Sequence, residues 1–189
     1  AWPAAVKTTM TSKIGKICIL AGTMMILAAG FLLLNNQHQA EVAGQAAAAV
    51  FTEIQQTAPA DTAIGEEPTV EIDGLTYIGT VSIPAIDREL PVLAQWNTAY
   101  AKKAPCRYTG SVLTDDLIIA GHSYASHFGH LNRLKPGDEV IFTNAAGIVY
   151  RYQVADQELI RGTDIDSMQA GDWPLTLFTC NYGGTMRIT

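Results

Sequence analysis

Three side chains in this sequence have the chemistry for acyl transfer: the thiol of Cys180, the imidazole of His122 and the guanidinium of Arg187. Each stands at or near the end of an apolar, β-favouring run. Cys180 closes Leu175-Thr176-Leu177-Phe178-Thr179. His122 follows Leu117-Ile118-Ile119-Ala120 and a glycine, Gly121, that lets the backbone turn sharply. Arg187 comes back on the next stretch, after Tyr182-Gly183-Gly184. A thiolate is the nucleophile, and a nearby cation or imidazolium lowers its pKa from about 8.5. An imidazole can give a proton to a leaving amine and take one from an incoming amine. A guanidinium can stabilise the oxyanion of a tetrahedral intermediate, a role worth about 2.7–4 kcal/mol by analogy with oxyanion-hole donors. This chemistry needs no metal and no cofactor. Each residue also has an ordinary reading: a buried core cysteine, a surface histidine, an exposed strand cation.

Such a trio needs a sheet to hold it. Val70-Glu71-Ile72, Asp73-Gly74 and Leu75-Thr76-Tyr77-Ile78 form a hairpin signal. Tyr77 to Ile83 reads as a strand that stops at Pro84, and Leu90 to Leu93 as another. Leu117 to Ala120 is wholly apolar, so it predicts a buried strand. Glu139 to Thr143 alternates, Asn144 to Gly147 turns, and Ile148 to Val154 is the return strand. Trp96 to Lys103 and Leu131 to Leu134 predict helical turns. Leu159 to Trp173 reads as a mixed crossover. Many short strands with few helices predict a mainly β chain closed into a barrel.

Ahead of the strands the texture differs. From Ile14 to Leu34 the chain reads IGKICILAGTMMILAAGFLLL, uncharged after Lys16. That length matches the roughly 20 residues that cross a bilayer core. It exceeds the 7–15 or so of a cleaved signal peptide, so it is read as an uncleaved transmembrane helix. Lys7, Lys13 and Lys16 precede it and predict a cytoplasmic N-terminus, with the bulk of the chain outside. His38 to Gln56 is rich in alanine and glutamine and predicts a helical stalk. Thr57 to Pro68 has no periodicity and reads as a linker. Net charge is -6 with no basic block, which argues against a nucleic-acid partner. Of the three cysteines, Cys18 is in the apolar segment. Cys106 and Cys180 are outside, where many cysteines pair. A bridge between them would block the chemistry, so Cys106 is expected to be free or to pair beyond Thr189.

Thr176-Leu177-Phe178-Thr179-Cys180 with Arg187 resembles the TLxTC…R signature of sortases, the cysteine transpeptidases of Gram-positive cell surfaces. Ala120-Gly121-His122 is similar to their catalytic-histidine strand. Phe128, Leu131, Leu134 and Gly137-Asp138 fit their F-x-x-L-x-x-L-x-x-G-D spacing. Val81-Ser82-Ile83-Pro84 and Leu90-Pro91-Val92 fit their opening strands. The resemblance covers Tyr77 to Thr189. It implies an eight-stranded β-barrel with a groove at one end. It implies Cys180 as nucleophile, His122 as general acid/base, Arg187 as the oxyanion or substrate contact, and Thr179 as a residue shaping the oxyanion site. It implies cleavage of an LPxTG-like sorting motif and transfer of a surface protein to a cell-wall or pilin amine. The division that follows is 1–13 cytoplasmic, 14–36 signal-anchor, 37–69 stalk and linker, and 70–189 catalytic domain with its last strand cut short. The subclass stays open.

Other signals are weaker. His122, His127 and His130 cluster, but at offsets that fit no zinc signature. Asp115-Asp116 reads as a polar turn. Asp164 and Asp166 read as solvated loop acids, with calcium as the alternative. Two rival functions are another cell-wall cysteine peptidase or L,D-transpeptidase, and a non-catalytic β-barrel binding module. The S-x-G-C pattern of the L,D-transpeptidases does not appear. His122 precedes Cys180, the reverse of the order in NlpC/P60 peptidases.

Overall fold

The computed structural model describes residues 8–56, 65–162, 164–169, 171–181 and 184–189. Residues 1–7 of the expected cytoplasmic segment, 57–64 of the expected linker, and Tyr182-Gly183 of the expected turn lie outside the described residues. The chain divides into two compact units, Ala1–Gln39 and Ala40–Thr189.

The first unit is helical. Helix α1 runs Thr8–Gln56, so it starts there and ends in the second unit. Along the first unit Ile17, Leu20, Met24, Leu27 and Phe31 are all exposed. Apolar surface on this scale is unfavourable in water and suits lipid or a partner. Among the described residues this is the one helix long and apolar enough to cross a membrane, by length and composition.

The second unit is mainly β. Its strands are β1 Val70–Ile72, β2 Leu75–Ile83, β3 Arg88–Leu93, β4 Cys106–Thr109, β5 Leu117–Gly121, β6 Glu139–Asn144, β7 Val149–Gln153, β8 Gln157–Ile160, β9 Leu175–Asn181 and β10 Gly184–Ile188. A short helix, α2 at Ile165–Gln169, lies between β8 and β9. One sheet holds all ten strands in the order β7-β6-β2-β3-β4-β5-β9-β10-β8, with β1 paired to β2. Pairing is antiparallel except at β3–β4 and β5–β9.

The expected closed eight-stranded barrel is corrected here. The sheet curls into an open half-barrel whose edge strands, β7 and β8, do not pair with each other. The connection between them spans the gap. Val154 accepts from the Gly137 N–H at 2.8 Å and donates to the Asp138 carbonyl at 2.9 Å. Ala155 donates to the Thr189 carbonyl at 2.7 Å, and Thr189 donates to the Asp156 carbonyl at 3.1 Å. Residues 154–156 thus bond to Gly137 and Asp138, just before β6, and to Thr189, just after β10, as the chain passes from one edge of the sheet to the other.

Local chemistry accounts for the elements that position the site. Asp73 and Gly74 have φ of 50° and 72°, as a tight type I′ hairpin requires. β6 alternates, burying Val140, Phe142 and Asn144. β5 is apolar throughout because both of its faces are covered. The main core gathers Ile78, Val81, Val92, Ile119, Phe142 and Leu177, and it includes Ala47 from α1. A second cluster joins Ile54 of α1 to Ile72, Tyr77, Leu93 and Cys106. The Trp96–Lys103 stretch is a set of turns, capped by the Asn97 side-chain oxygen accepting from Ala99 and Tyr100. Leu131–Arg133 is a 3-10 turn. The expected crossover holds α2 and the end of β8, a strand its sequence does not announce.

Candidate active site

Register decides which side chains meet. β5 and β9 run parallel, with Ala120 beside Phe178 and Gly121 beside Thr179. One residue further, His122 follows Gly121 and Cys180 follows Thr179. Side chains alternate along a strand, so the row of Ala120 and Phe178 continues to His122 and Cys180. β10 runs antiparallel to β9, with Thr185 opposite Cys180 and Arg187 opposite Phe178. Leu177 and Met186 belong to the core. Cys180 and Arg187 therefore share the other face, as diagonal neighbours across the pair. Cys180 and Arg187 thus share one face of two adjacent strands, and His122 follows the end of β5, the strand next to β9. Cys180 is exposed and carries a free thiol.

His122 lies just past the end of β5 and is half-buried. Burial, and then the positive charge of Lys102, hold its pKa below the usual histidine value. The neutral imidazole, able to accept a proton, is thereby favoured. Its Nδ1 is buried and makes no hydrogen bond among the described residues. The ring is instead stacked on Tyr124, with centroids 4.0 Å apart and planes 19° apart. Its backbone carbonyl accepts from the Phe128 N–H at 3.2 Å. Gly121 is required by space: a Cβ there would fall 2.3 Å from the Phe128 ring.

Arg187 is 5 % exposed. Its guanidinium is ion-paired with Glu158, which faces it in register across β10–β8. Sequence reasoning missed Glu158, because β8 is short and its register against β10 cannot be read locally. Thr179 lies on the core side, 4 % exposed, in line with Leu177 on β9. Its side chain backs the strand and does not stand beside the thiol. On the Cys180 side, Phe178 meets Tyr108 edge-on at 5.3 Å, and Tyr108 meets Trp96 at 5.9 Å. This aromatic row borders the nucleophile and was also missed, since it joins three separate segments.

The remaining candidates have other places. Cys106 is wholly buried and free, and burial pushes its thiol up to about 12. His127 is wholly buried. Burial and the neighbouring charge of His122 hold it down to about 4, against a polar contact with the Ala43 backbone. His130 is partly exposed. Asp164 caps α2, accepting from the Ser167 N–H at 3.0 Å and hydroxyl at 2.7 Å, while Asp166 is exposed. Asp116 closes the expected polar turn by accepting from the Ser111 N–H at 3.0 Å.

Comparison with known proteins gives the family and the fold. A family model for the sortase domain matches residues 81–189. Sortase A from Corynebacterium diphtheriae is similar in structure, with a TM-score of 0.53 and 24 % identity over 60 % of this chain and 59 % of that one. Sortase A from Listeria monocytogenes matches with a TM-score of 0.52 and 22 % identity, over 59 % of this chain and 83 % of that one. Clostridium perfringens sortase C, in a structure with the C-terminal cell wall sorting motif, matches at 0.51 and 20 % identity, over 59 % and 67 %. This chain thus spans well under two thirds of the Corynebacterium protein. No curated protein matches it by sequence. At these identities the solved structures speak for the fold, and the domain match speaks for the family.

Proposed function

The chain belongs to the sortase family, and we propose that it is a membrane-anchored thiol transpeptidase acting on surface proteins that carry an LPxTG-like sorting motif. One observation carries the reading. The β9–β10 register sets a free, exposed thiol and a guanidinium on one face, and an imidazole of lowered pKa follows the end of the adjoining β5, which supports the reading.

The chemistry runs in two halves. The Cys180 thiol gives up its proton, with neutral His122 as the acceptor, and the sulfur attacks the carbonyl carbon of the motif's threonine. Negative charge gathers on the carbonyl oxygen, where Arg187 offsets it. The C–N bond to glycine breaks, His122 returns its proton to the leaving amine, and a thioester remains on Cys180. An acceptor amine, from a cell-wall precursor or a pilin, then attacks the thioester. It passes a proton to His122, an amide forms, and the thiol is restored. Glu158 orients Arg187 from the far side of β10. Thr179 supports the nucleophile from the core side, leaving its backbone to border the oxyanion site. The N-terminal apolar helix anchors the chain, with Lys7, Lys13 and Lys16 on the cytoplasmic side and the β unit outside the cell.

The test is an adduct screen. The protein is mixed with a library of sorting-motif peptides, with and without an amine acceptor, and read by mass spectrometry. An acyl adduct on Cys180, absent in Cys180→Ala and discharged by the amine, is expected. No adduct and no cleavage across the library would sink the reading.

A further inference from the structure

The part of α1 that belongs to the second unit is built into it. Ala43, Ala47 and Ile54 are buried, while Gln45, Ala46, Ala48 and Ala49 are exposed. The buried face is small, so the helix backbone approaches closely whatever it covers. It covers the loop that follows His122. The Ser126 hydroxyl donates to the Ala40 carbonyl at 2.7 Å. A Cβ on Gly44 would lie 2.9 Å from the Ser126 Cβ. His127, wholly buried, lies near the Ala43 backbone, and neither of its ring nitrogens makes a hydrogen bond among the described residues.

The same loop holds the His122 ring. Tyr124 stacks on it at 4.0 Å, and the His127 ring lies 5.6 Å from Tyr124. Phe128 ties the His122 carbonyl and fills the space over Gly121. Since Nδ1 of His122 makes no hydrogen bond among the described residues, no acceptor fixes the ring from behind. The stack is what sets its plane.

We propose that Tyr124 is the positioning residue for His122, and that residues 40–47 of α1 seat Tyr124 by clamping loop 123–128. The helix that leads out of the apolar segment is then part of the active-site scaffold and not a spacer. This rests on the reading of His122 as acid/base. A stack at 4.0 Å with planes 19° apart restricts rotation of the imidazole out of the plane of the Tyr124 ring.

The test uses the full chain in detergent micelles with three substitutions and one control. Gly44→Leu wedges the helix off Ser126, Tyr124→Leu removes the stack, and Tyr124→Phe keeps it. Ala49→Leu adds the same bulk on the exposed face. For peptide cleavage, Gly44→Leu and Tyr124→Leu are expected to lower kcat per folded molecule at least about tenfold, as small misplacements of a catalytic group do. KM stays within about twofold, since binding is not touched. Ala49→Leu is expected to match the unsubstituted protein, and Tyr124→Phe, which keeps the ring, to stay well above Tyr124→Leu. A second readout does not depend on turnover. The His122 ring-proton resonances, shifted by the Tyr124 ring, should move toward free-histidine values in Gly44→Leu and Tyr124→Leu only. His122 resonances that keep their parental, ring-shifted positions in Gly44→Leu and Tyr124→Leu overturn the proposal, and so does a Tyr124→Phe that falls as far as Tyr124→Leu. An unsubstituted protein with the shifted resonances but no Cys180 adduct overturns the transpeptidase reading and leaves the clamp standing as a structural device.

Discussion

Cys180 and Arg187 sit inside hydrogen-bonded ladders, whereas His122 sits one residue beyond one. β9 is paired on both sides, to β5 and to β10, and β10 is paired on both sides, to β9 and to β8. The thiol and the guanidinium are therefore placed by register, which slips only by moving every side chain to the opposite face. The imidazole stacks on Tyr124 of the loop that follows it, and that loop meets residues 40–44 of α1, some eighty residues earlier in the chain. One half of the site is set by backbone pairing, the other by side-chain packing, and the two halves should fail in different ways.

The largest expected effect tests the ladder half. Arg187→Ala should lower kcat by about 10²–10³, as loss of an oxyanion donor does, with the fold intact. Turnover within a few fold of the parent would remove Arg187 from the chemistry. Gly121→Ala tests the loop half. Its new Cβ meets the Phe128 ring, so the loop must shift. Activity should fall about 100-fold, and stability by about 1–3 kcal/mol, as overpacking does. A chemical melt together with steady-state kinetics reads both. If Gly121→Ala changes neither, the loop is softer than its packing indicates.

His127 offers a smaller, graded test of the same half. Its pKa is lowered in the folded state, to about 4, and is near 6.5 when unfolded. Between those values the unfolded chain binds a proton that the folded one refuses. Stability should therefore be full above about pH 6.5 and decline by an amount on the order of 3 kcal/mol toward pH 4. Urea melts across that range should show the slope, and His127→Phe should flatten it. The finest test is Lys102→Met. Lys102 is exposed, so water and salt screen its charge. Removing it should still raise the His122 pKa, moving the acidic limb of the pH–rate profile to higher pH. A downward shift would show that Lys102 acts on some other group.

The same contrast explains what the sequence made legible. β5 and β9 were readable because LIIAG and LTLFTC are dense in β-branched and large apolar residues between polar breaks. The Asp73-Gly74 hairpin was readable because only certain residues tolerate its backbone. β4 and β8 were not: CRYT and QELI carry no apolar alternation, and their neighbours make them strands. Glu158 and the Trp96–Tyr108–Phe178 row follow from pairings across the chain that no local pattern encodes. The open edge between β7 and β8 was also hidden, because strand count says nothing of where three linking residues spend their hydrogen bonds. His38 to Gln56 reads as a helical stalk because alanine and straight-chain residues suit a helix, and small residues give only a faint amphipathic signal. The buried face is nonetheless real, and Ala47 is 2 % exposed.

Cys106 has a practical consequence. With its pKa pushed up to about 12, about one molecule in 10⁵ carries the thiolate at neutral pH, and the side chain is sealed from reagent besides. Cys18 is exposed on the apolar helix, and on the proposed anchoring lipid or detergent shields it from a charged alkylating agent. A membrane-impermeant, charged iodoacetamide added to the intact protein should then consume one equivalent per folded molecule, at Cys180. The chain carries its own means of counting competent active sites, with no need to remove the other two cysteines first.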